Sequence, residues 1–327
     1  MKNLLITGGL GYIGSKFIEN YSKSYNIYVL DTELYDNKNS EEFKLIKKDL
    51  RNIEKKDIEN IDFVIHMAEL SNDPLGELNP GLTNEINHFA TKELLDLCHE
   101  SSVSKFIYMS SCSVYGKNEN LVDETSNLLP LTSYSKSKVA NENYILNSNF
   151  DYEIIIFRNA TVYGYAKNLR LDLVINELTY DAINNHEINL LSDGSPKRPF
   201  IHVSDLTNII ELALKSKKNL HQNIFNIGSN ELNYSIKSVA ENIKDLLEIK
   251  KINFGMKDED QRSYLVDFSK IKNEFPEFNI KFELNTGIQD LITNFKNHEF
   301  DLNARRIKKI NYLLDDKLVD PNLFWTK

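Results

Sequence analysis

The N-terminal stretch of the chain reads Leu4-Leu5-Ile6-Thr7-Gly8-Gly9-Leu10-Gly11-Tyr12-Ile13-Gly14. Residues Asn3 to Thr7 predict a short buried strand, because a brief apolar run bounded by turn residues is typical of a strand covered on both faces. Gly8-Gly9 predicts a tight turn. Gly11 and Gly14 then open a helix that we expect to continue through Asn20. Free backbone N–H groups and the positive end of a helix dipole therefore meet at one point.

The glycines Gly8, Gly11 and Gly14 predict a turn that binds the pyrophosphate of a dinucleotide. Gly8 permits the turn, Gly11 lets the backbone approach the phosphates, and Gly14 lets the helix pack closely on the strand. The spacing is GxxGxxG instead of the simpler GxGxxG. Any sharp strand-to-helix turn attracts glycine, so a purely structural turn is the alternative.

A second apolar run, Tyr25 to Leu30, ends at Asp31. An acidic residue at the end of the second strand accepts hydrogen bonds from the adenosine ribose hydroxyls and repels a 2′-phosphate. Asp31 therefore predicts NAD as the cofactor in preference to NADP. The alternative is a solvated acidic turn residue.

The charge balance argues against nucleic acid as a partner. The 327 residues include 39 Lys and Arg and 48 Asp and Glu, which gives a formal net charge of −9. A nucleic-acid-binding protein of this size usually carries a basic surface. The one basic stretch, Arg305-Arg306-Ile307-Lys308-Lys309, is interpreted as a solvated helix face.

The two cysteines, Cys98 and Cys112, are too few for a disulfide framework in a chain of this length, and a reducing cytoplasm fits them. No signal peptide precedes Leu4, and no apolar run is long enough to span a bilayer. We therefore expect a cytoplasmic protein with no membrane partner. No metal site is predicted.

Strand and helix signals alternate from Met1 to about Gly164. The predicted strands are Asn3–Thr7, Ile27–Leu30, Phe43–Lys47, Phe63–Met67, Lys105–Ser110 and Glu153–Phe157. This alternation predicts an α/β fold, a Rossmann-type doubly wound parallel sheet with helices on both faces. Ligands of such sheets bind outside the carboxyl ends of the strands.

Polar residues follow several of these predicted strand ends. Asp49-Leu50 follows the third strand and either places a carboxylate near an adenine or forms a plain loop. Glu69 follows the fourth strand, where a small residue is easier to explain, and the sequence offers no account of it. A helix from about Leu82 to Glu100 carries Asn87, which could bridge strand ends.

Clustered hydroxyl groups follow the fifth predicted strand, and a helix begins soon after them. The two segments read Ser110-Ser111-Cys112-Ser113-Val114-Tyr115-Gly116 and Tyr134-Ser135-Lys136-Ser137-Lys138. Tyr134 and Lys138 are four residues apart and share one helix face. A lysine ammonium beside a phenol lowers the tyrosine pKa. With Ser111 bonded to the same substrate oxygen, this triad can move an alcohol proton while hydride moves to or from nicotinamide.

These motifs together resemble the extended short-chain dehydrogenase/reductase family, in its nucleotide-sugar epimerase/dehydratase branch. The resemblance covers about residues 2 to 295. Further segments that carry it are Phe157-Arg158-Asn159-Ala160-Thr161-Val162-Tyr163-Gly164, Arg198-Pro199-Phe200-Ile201-His202-Val203-Ser204-Asp205, Phe225-Asn226-Ile227-Gly228 and Asp260-Gln261-Arg262-Ser263-Tyr264.

The resemblance implies a role for each matching residue. The residues that would hold NAD are Gly8, Gly11, Tyr12, Ile13, Gly14 and Asp31, with Asp49 and Leu50 flanking the adenine. Ser111, Tyr134 and Lys138 would be catalytic, and Lys138 would also hold the nicotinamide ribose. Arg198 and Arg262 would bind the diphosphate of a nucleotide-sugar substrate, for which a surface ion pair is the alternative.

The chain departs from the family pattern in its substrate region. Members that catalyse 4,6-dehydration carry Asp-Glu after the catalytic serine or threonine, and this chain has Cys112-Ser113. We therefore expect no 4,6-dehydration. Thr161 stands where sugar-binding members often have Asn. Lys197 and Arg170-Leu171-Asp172 also lie in the variable substrate region.

The expected domains are an NAD-binding domain, 1–164 with 205–228 returning to it, and a smaller α+β substrate domain, 165–204 with 229–327. A homodimer is implied by the resemblance. The segment Ala304–Asp316 predicts an amphipathic helix with Ile307, Ile310 and Leu313-Leu314 on one stripe. The leading function is a nucleotide-sugar epimerase that oxidises its substrate transiently, most simply at C4. The alternatives are a net dehydrogenase or ketoreductase and a non-catalytic dinucleotide sensor.

Overall fold

The computed structural model describes residues 1–35, 40–256, 262–298 and 305–326. In chain order the strands are β1 (Lys2–Thr7), β2 (Tyr25–Asp31), β3 (Lys44–Lys47), β4 (Phe63–His66), β5 (Lys105–Ser111), β6 (Lys117–Val122), β7 (Glu153–Asn159), β8 (Thr161–Tyr163), β9 (Ile188–Leu190), β10 (Lys197–His202), β11 (Asn223–Ile227), β12 (Asn233–Ser235), β13 (Ile252–Phe254) and β14 (Ser263–Val266). The helices are α1 (Tyr12–Tyr21), α2 (Asp73–Leu78), α3 (Pro80–Asn84), α4 (Ala90–His99), α5 (Ser133–Asn147), α6 (Val174–Asn185), α7 (Val203–Lys215), α8 (Ile236–Leu247), α9 (Ser269–Glu274), α10 (Leu284–Asn297) and α11 (Arg306–Asp315).

The main sheet is parallel throughout, with the strand order β11-β7-β5-β4-β1-β2-β3. The chain winds outward in one direction from β1 to β3 and in the other from β4 to β11, so the predicted doubly wound α/β fold is confirmed. All six predicted strands belong to this sheet, although β2 begins at Tyr25 and β7 continues to Asn159.

Strand β1 is apolar along its length because both of its faces are covered. Leu4 and Ile6 pack on one face with Phe17 of α1, and Leu5 packs on the other face with Leu94 of α4. All five side chains are completely buried. A strand buried on both faces reads as a continuous apolar run, which explains why the sequence pattern predicts it well.

The helix predicted from Leu82 to Glu100 is interrupted in the structure. Helix α3 ends at Asn84, a π-helical turn spans Glu85–Phe89, and α4 follows. Asn87 lies in this turn and exchanges two hydrogen bonds with the backbone of Leu70, 2.8 Å to its N–H and 3.2 Å to its carbonyl. The turn thus positions the amide that holds the loop after β4 in place.

The smaller sheets lie beside the main one. Strand β10 pairs with β8 and β12, β9 with β13, and β6 with β14. A second apolar core lies among these elements, and it includes Tyr12 of α1 as well as Tyr163 of β8 and Leu291 of α10. Side chains from both ends of the chain therefore share one core. Within the described ranges, no helix is long and apolar enough to cross a membrane.

Helix α11 confirms the predicted amphipathic helix, although Ala304 lies outside the described residues. Ile310 and Leu313 are 2% exposed, and Ile307 and Leu314 pack partly buried beside them. The apolar cluster they join contains Leu34, Leu70, Leu75, Leu82, Val319 and Leu323. The C-terminal part of the chain is thereby packed on the loops that follow β2 and β4.

Candidate active site

A cleft of about 1210 Å³ runs along the carboxyl ends of the main-sheet strands. The structure brings every site residue named from the sequence to the wall of this cleft: Gly8, Gly11, Tyr12, Ile13, Gly14, Asp31, Asp49, Leu50, Ser111, Tyr134, Lys138, Thr161, Arg198 and Arg262. This edge of the sheet is where doubly wound folds bind their ligands.

The glycine turn leaves no room for larger residues. Gly8 has φ +68°, and a Cβ there would lie 2.8 Å from the backbone N of Ala68. A Cβ at Gly14 would lie 2.5 Å from the carbonyl oxygen of Gly9. At Gly11 a Cβ would lie 3.0 Å from the carbonyl oxygen of Gly8 and would face the guanidinium of Arg306. The turn is thus a cradle that a side chain would fill, which fits the pyrophosphate of NAD.

The phenol of Tyr12 is turned away from this cradle. Its hydroxyl donates a hydrogen bond to the carbonyl of Gly164 at 2.6 Å, and the residue is 3% exposed. Any contact from Tyr12 to a bound dinucleotide therefore has to come from its backbone. The side chain instead fixes the start of α1 against the turn after β8.

The carboxylate of Asp31 is held at the end of β2 by two backbone groups. Its oxygens accept hydrogen bonds from the N–H of Leu10 at 3.1 Å and from the N–H of Glu33 at 2.9 Å. Burial nevertheless raises the pKa of Asp31. A fixed carboxylate beside the glycine turn fits the ribose hydroxyls of NAD.

Three hydrogen bonds from Arg51 hold the carboxylate of Asp49 in place. It accepts hydrogen bonds from the backbone N–H, Nε and Nη2 of Arg51 at 2.8–2.9 Å. It caps the short 3₁₀ turn Leu50–Asn52, whose first residue is 3% exposed. Asp49 and Leu50 also line the cleft, so the predicted place beside an adenine stays a prediction.

Tyr134, Ser111 and Lys138 meet at the ends of β5 and α5. The hydroxyl of Ser111 lies close enough to the phenol of Tyr134 to lower its pKa, and it accepts a bond from the N–H of Ser113 at 3.1 Å. The ammonium of Lys138 donates to the carbonyl of Met109 and lies 5.4 Å from the centre of the Tyr134 ring. Thr132 caps α5 through a 3.1 Å bond from the Ser135 N–H, which places Tyr134 in the first turn.

Glu69 changes the electrostatics of this triad. Its Oε2 lies 2.5 Å from Nζ of Lys138, and its Oε1 accepts a hydrogen bond from the Tyr108 hydroxyl at 3.1 Å. Burial raises the pKa of Tyr134, and the Glu69 charge raises it further. The sequence predicts a lowered pKa for this phenol, and the structure gives a raised one, because burial is the largest effect and the Glu69 charge adds to it.

The two predicted diphosphate ligands lie next to each other. Arg198 is 6% exposed and donates hydrogen bonds to the carbonyls of Lys197 (2.8 Å) and Arg262. Arg262 forms an ion pair with Asp73 at the start of α2. The ion pair that the sequence left as an alternative is thus present for Arg262, inside the cleft wall.

Cys112 and Ser113 differ in their access to the cleft. Cys112 is 1% exposed, and its thiol donates to the carbonyl of Arg158 at 3.2 Å. Burial raises the pKa of this thiol. Ser113 lies on the cleft wall beside Ser111, and Thr161 begins β8 nearby.

The charged residues of the cleft wall to which the sequence-based prediction assigns no role include Glu69, Arg170 and Arg306. Arg306 was interpreted as part of a solvated helix face, and this is wrong. It lines the cleft and donates a hydrogen bond to the hydroxyl of Ser71 at 2.7 Å. The helical period of Ile307 and Ile310 indicates a buried stripe but cannot show what lies beside it.

Comparison with known proteins supplies the family. The model of the NAD dependent epimerase/dehydratase family matches residues 4–228. An uncharacterized UDP-glucose epimerase of Bacillus subtilis is 28% identical, over 74% of this chain and 81% of its own length. Human dTDP-D-glucose 4,6-dehydratase is 27% identical, over 81% of this chain and 79% of its own length.

A solved structure of a UDP-N-acetylglucosamine 4-epimerase from Methanobrevibacter ruminantium superposes with a TM-score of 0.75. It is 25% identical, and the match covers 89% of this chain and 98% of that chain.

Proposed function

The chain belongs to the NAD dependent epimerase/dehydratase family, and we propose that it is a nucleotide-sugar epimerase acting at C4 of the sugar. The observation that carries the proposal is that one cleft wall holds Ser111 and Tyr134 together with the glycine turn and the two substrate-side arginines. One continuous cleft joins a dinucleotide cradle, a proton-transfer group and an anion site.

In a transient oxidation, different residues of the cleft bind the cofactor, transfer the proton and position the reacting oxygen. The glycine turn, Asp31 and Lys138 would hold NAD, which when bound would supply the hydride acceptor and donor. Tyr134 takes the proton of the C4 hydroxyl as hydride leaves the same carbon, so a 4-keto sugar results. Ser111 hydrogen-bonds the reacting oxygen and keeps it at Tyr134. After the keto sugar rotates in the site, Tyr134 returns the proton as hydride adds to the opposite face of the same carbon.

Arg198 and Arg262 are proposed to hold the diphosphate while the sugar rotates. Guanidinium groups suit this role because their planar N–H forks match phosphate oxygens. The Arg262–Asp73 ion pair supports the proposal, since it fixes the side chain at the cleft wall. Thr161, which lines the cleft, is proposed to contact the sugar. The segments 165–204 and 229–327 are proposed as the substrate-binding part of the protein.

Water elimination at C5 and C6 is not expected of this site. That reaction needs a carboxylic acid next to the catalytic serine, and the positions after Ser111 are Cys112 and Ser113. Cys112 is buried with a raised thiol pKa, so it supplies no acid to the cleft. Mass spectrometry of the products tests this point, and a nucleotide hexose lighter by one water would contradict it.

Incubation with UDP-, GDP-, CDP- and dTDP-hexoses tests the proposed function. We expect two C4 epimers to interconvert in the NMR spectrum, with no accumulation of reduced nicotinamide. Net reduction of the cofactor would instead establish a dehydrogenase. Cofactor binding without conversion of any of these hexoses would contradict the proposed hexose substrate and favour the sensor alternative. The Tyr134→Phe variant is the control for contaminating activity.

We also propose a cytoplasmic homodimer formed through α4 and α5. Phe89, just before α4, is 56% exposed, and Leu146 near the end of α5 is 40% exposed. Such apolar side chains are suited to a partner subunit. Both cysteines are buried free thiols, which supports a reducing compartment. Light scattering is expected to give twice the chain mass, and Phe89→Arg is expected to lower it.

A further inference from the structure

The segment 305–326, which we call the C-terminal strap, lies against the part of the cleft that Asp31 and Leu50 line. Its indole N–H, on Trp325, donates to the carbonyl of Thr32 at 2.6 Å, directly after β2. Arg51 donates to the carbonyl of Asn322 at 2.8 Å and stacks on the ring of Phe324 at 3.8 Å. The strap thereby joins the residues that follow β2 to the turn that follows β3. The family resemblance ends near residue 295 and implies no role for this segment.

Leu323 brings the strap into the cleft wall. It is 4% exposed and lines the cleft together with Leu50 and Asp31. Its φ is +62°, a left-handed conformation that costs free energy for a residue with a Cβ. Such a backbone persists only where the surrounding contacts hold it, and it clusters at ligand clamps.

Arg306 places its guanidinium between the two loops that would border a dinucleotide. Nη1 donates to the hydroxyl of Ser71, in the loop after β4, at 2.7 Å. Nη2 lies 3.4 Å from the position that a Cβ at Gly11 would occupy. Gly11 precedes the first turn of α1, so this guanidinium faces the N-terminus of that helix. The free backbone N–H groups at a helix N-terminus suit a phosphate. The guanidinium also lies 4.4 Å from the centre of the Tyr35 ring.

The neighbours of Arg306 leave its charge available to an anion. Arg170 is paired with Asp172, and Arg305 with Glu177. Among the described residues, no carboxylate forms an ion pair with Arg306, whose hydrogen bond goes to a serine. Burial and the nearby Arg170 lower the pKa of Arg306, whereas the charges of Asp172 and Asp31 raise it, and a bound anion would favour the charged guanidinium further.

The hydroxyl of Tyr35 is a second group that a ligand could satisfy. It is buried on the cleft wall and has no hydrogen-bond partner within the described residues. A buried hydroxyl without a partner is costly, and a ligand oxygen at this place would remove the cost.

We propose that the C-terminal strap is a cofactor clamp, in which Arg306 binds the pyrophosphate of NAD and Leu323 covers the adenosine. The dinucleotide would then be held from the sheet side by the glycine turn and from the opposite side by the strap. Release of NAD would require the strap to leave the cleft. This inference uses the NAD site of the proposed function but not its sugar chemistry.

Calorimetric titration of the full chain with ADP-ribose, adenosine, NAD and NADP tests the clamp. We expect Arg306→Met to weaken ADP-ribose and NAD ten-fold or more, the size of a lost charged hydrogen bond. Adenosine, which lacks the pyrophosphate, should bind with an unchanged Kd. Lys308→Met, which removes an exposed positive charge from the same helix, is the matched control. It should change neither the Kd for ADP-ribose nor the Kd for NAD. Tyr35→Phe should weaken ADP-ribose by a smaller factor.

The chain has a single tryptophan, Trp325, which reports on the strap directly. Unchanged emission in Arg306→Met would show that the strap remains docked, so that the loss of affinity belongs to the guanidinium. Leu323→Ala should increase the rate at which bound NADH dissociates. An ADP-ribose Kd within two-fold of wild type in Arg306→Met overturns the proposal. A loss confined to NADP would overturn it too, by placing Arg306 at the 2′-phosphate. If NAD bound normally but no nucleotide sugar were converted, only the proposed function would be contradicted, and the clamp would not be.

Discussion

Glu69 and Lys138 form an ion pair of 2.5 Å at the floor of the cleft, with side chains 2% and 4% exposed. The lysine belongs to the predicted proton-transfer triad, and its charge is paired with the carboxylate of Glu69. Burial raises the pKa of Glu69 and lowers the pKa of Lys138, which brings the two titrations toward each other.

Replacement of Glu69 by Gln is expected to move the pH dependence of sugar oxidation to lower pH. The Glu69 charge raises the pKa of Tyr134, because a nearby negative charge opposes formation of the phenolate. Without that charge the phenolate forms at lower pH, so the acid limb of kcat/KM should shift downward. Glu177→Gln, which removes another cleft carboxylate paired with Arg305, should leave this limb in place. An unchanged or upward-shifted limb in Glu69→Gln would show that the ion pair does not control the phenol.

Tyr134→Phe is expected to abolish turnover while NAD binding stays close to normal, since only the phenolic oxygen is lost. General acid–base groups contribute ~100- to 10,000-fold in rate. Ser111→Ala should lose less activity than Tyr134→Phe, because the proton-transfer group remains. Steady-state kinetics and NAD titration measure both effects. Tyr312→Phe, at an exposed position, is the control. Near-normal activity of Tyr134→Phe would remove this residue from the mechanism.

The protein is expected to bind NAD more tightly than NADP. The Asp31 carboxylate is held by the N–H groups of Leu10 and Glu33 and cannot turn away from a 2′-phosphate without breaking these bonds. Titration of both cofactors into stripped protein measures the preference. Asp31→Ala should weaken NAD and reduce the difference between the two cofactors. Tighter binding of NADP to the unaltered protein would refute the assignment of Asp31.

Arg262→Ala is expected to raise the KM for the nucleotide sugar about ten-fold or more, with unchanged NAD affinity, because a charged hydrogen bond contributes roughly 1.5–3 kcal/mol. Asp73→Asn separates binding from positioning: it keeps the guanidinium but removes its ion-pair partner. We expect this variant to raise KM less than Arg262→Ala does. If free sugars were converted as well as nucleotide sugars, the diphosphate role of Arg262 would be wrong.

Local patterns were sufficient to predict the sheet and the first turn of the site. Strand β1, the glycine turn and α1 are neighbours in the chain, so their geometry depends on apolar runs, on residues without a Cβ and on helix capping. Tyr134 and Lys138 share a face for the same reason, since four residues make about one helical turn. The π turn at Glu85–Phe89 escaped prediction because its apolar and polar residues also suit a regular helix.

The charges of the site depend on contacts between residues that are far apart in the chain. Glu69, Ser71 and Asp73 follow β4, and the tertiary fold brings against them α5 with Lys138, α11 with Arg306 and the segment before β14 with Arg262. Sequence spacing identifies which residues can carry a charge, but the pKa of Tyr134 and the place of Arg306 follow from burial and from neighbours across the fold. Both depend on packing between residues that are far apart in the chain, and a local sequence pattern does not show that packing.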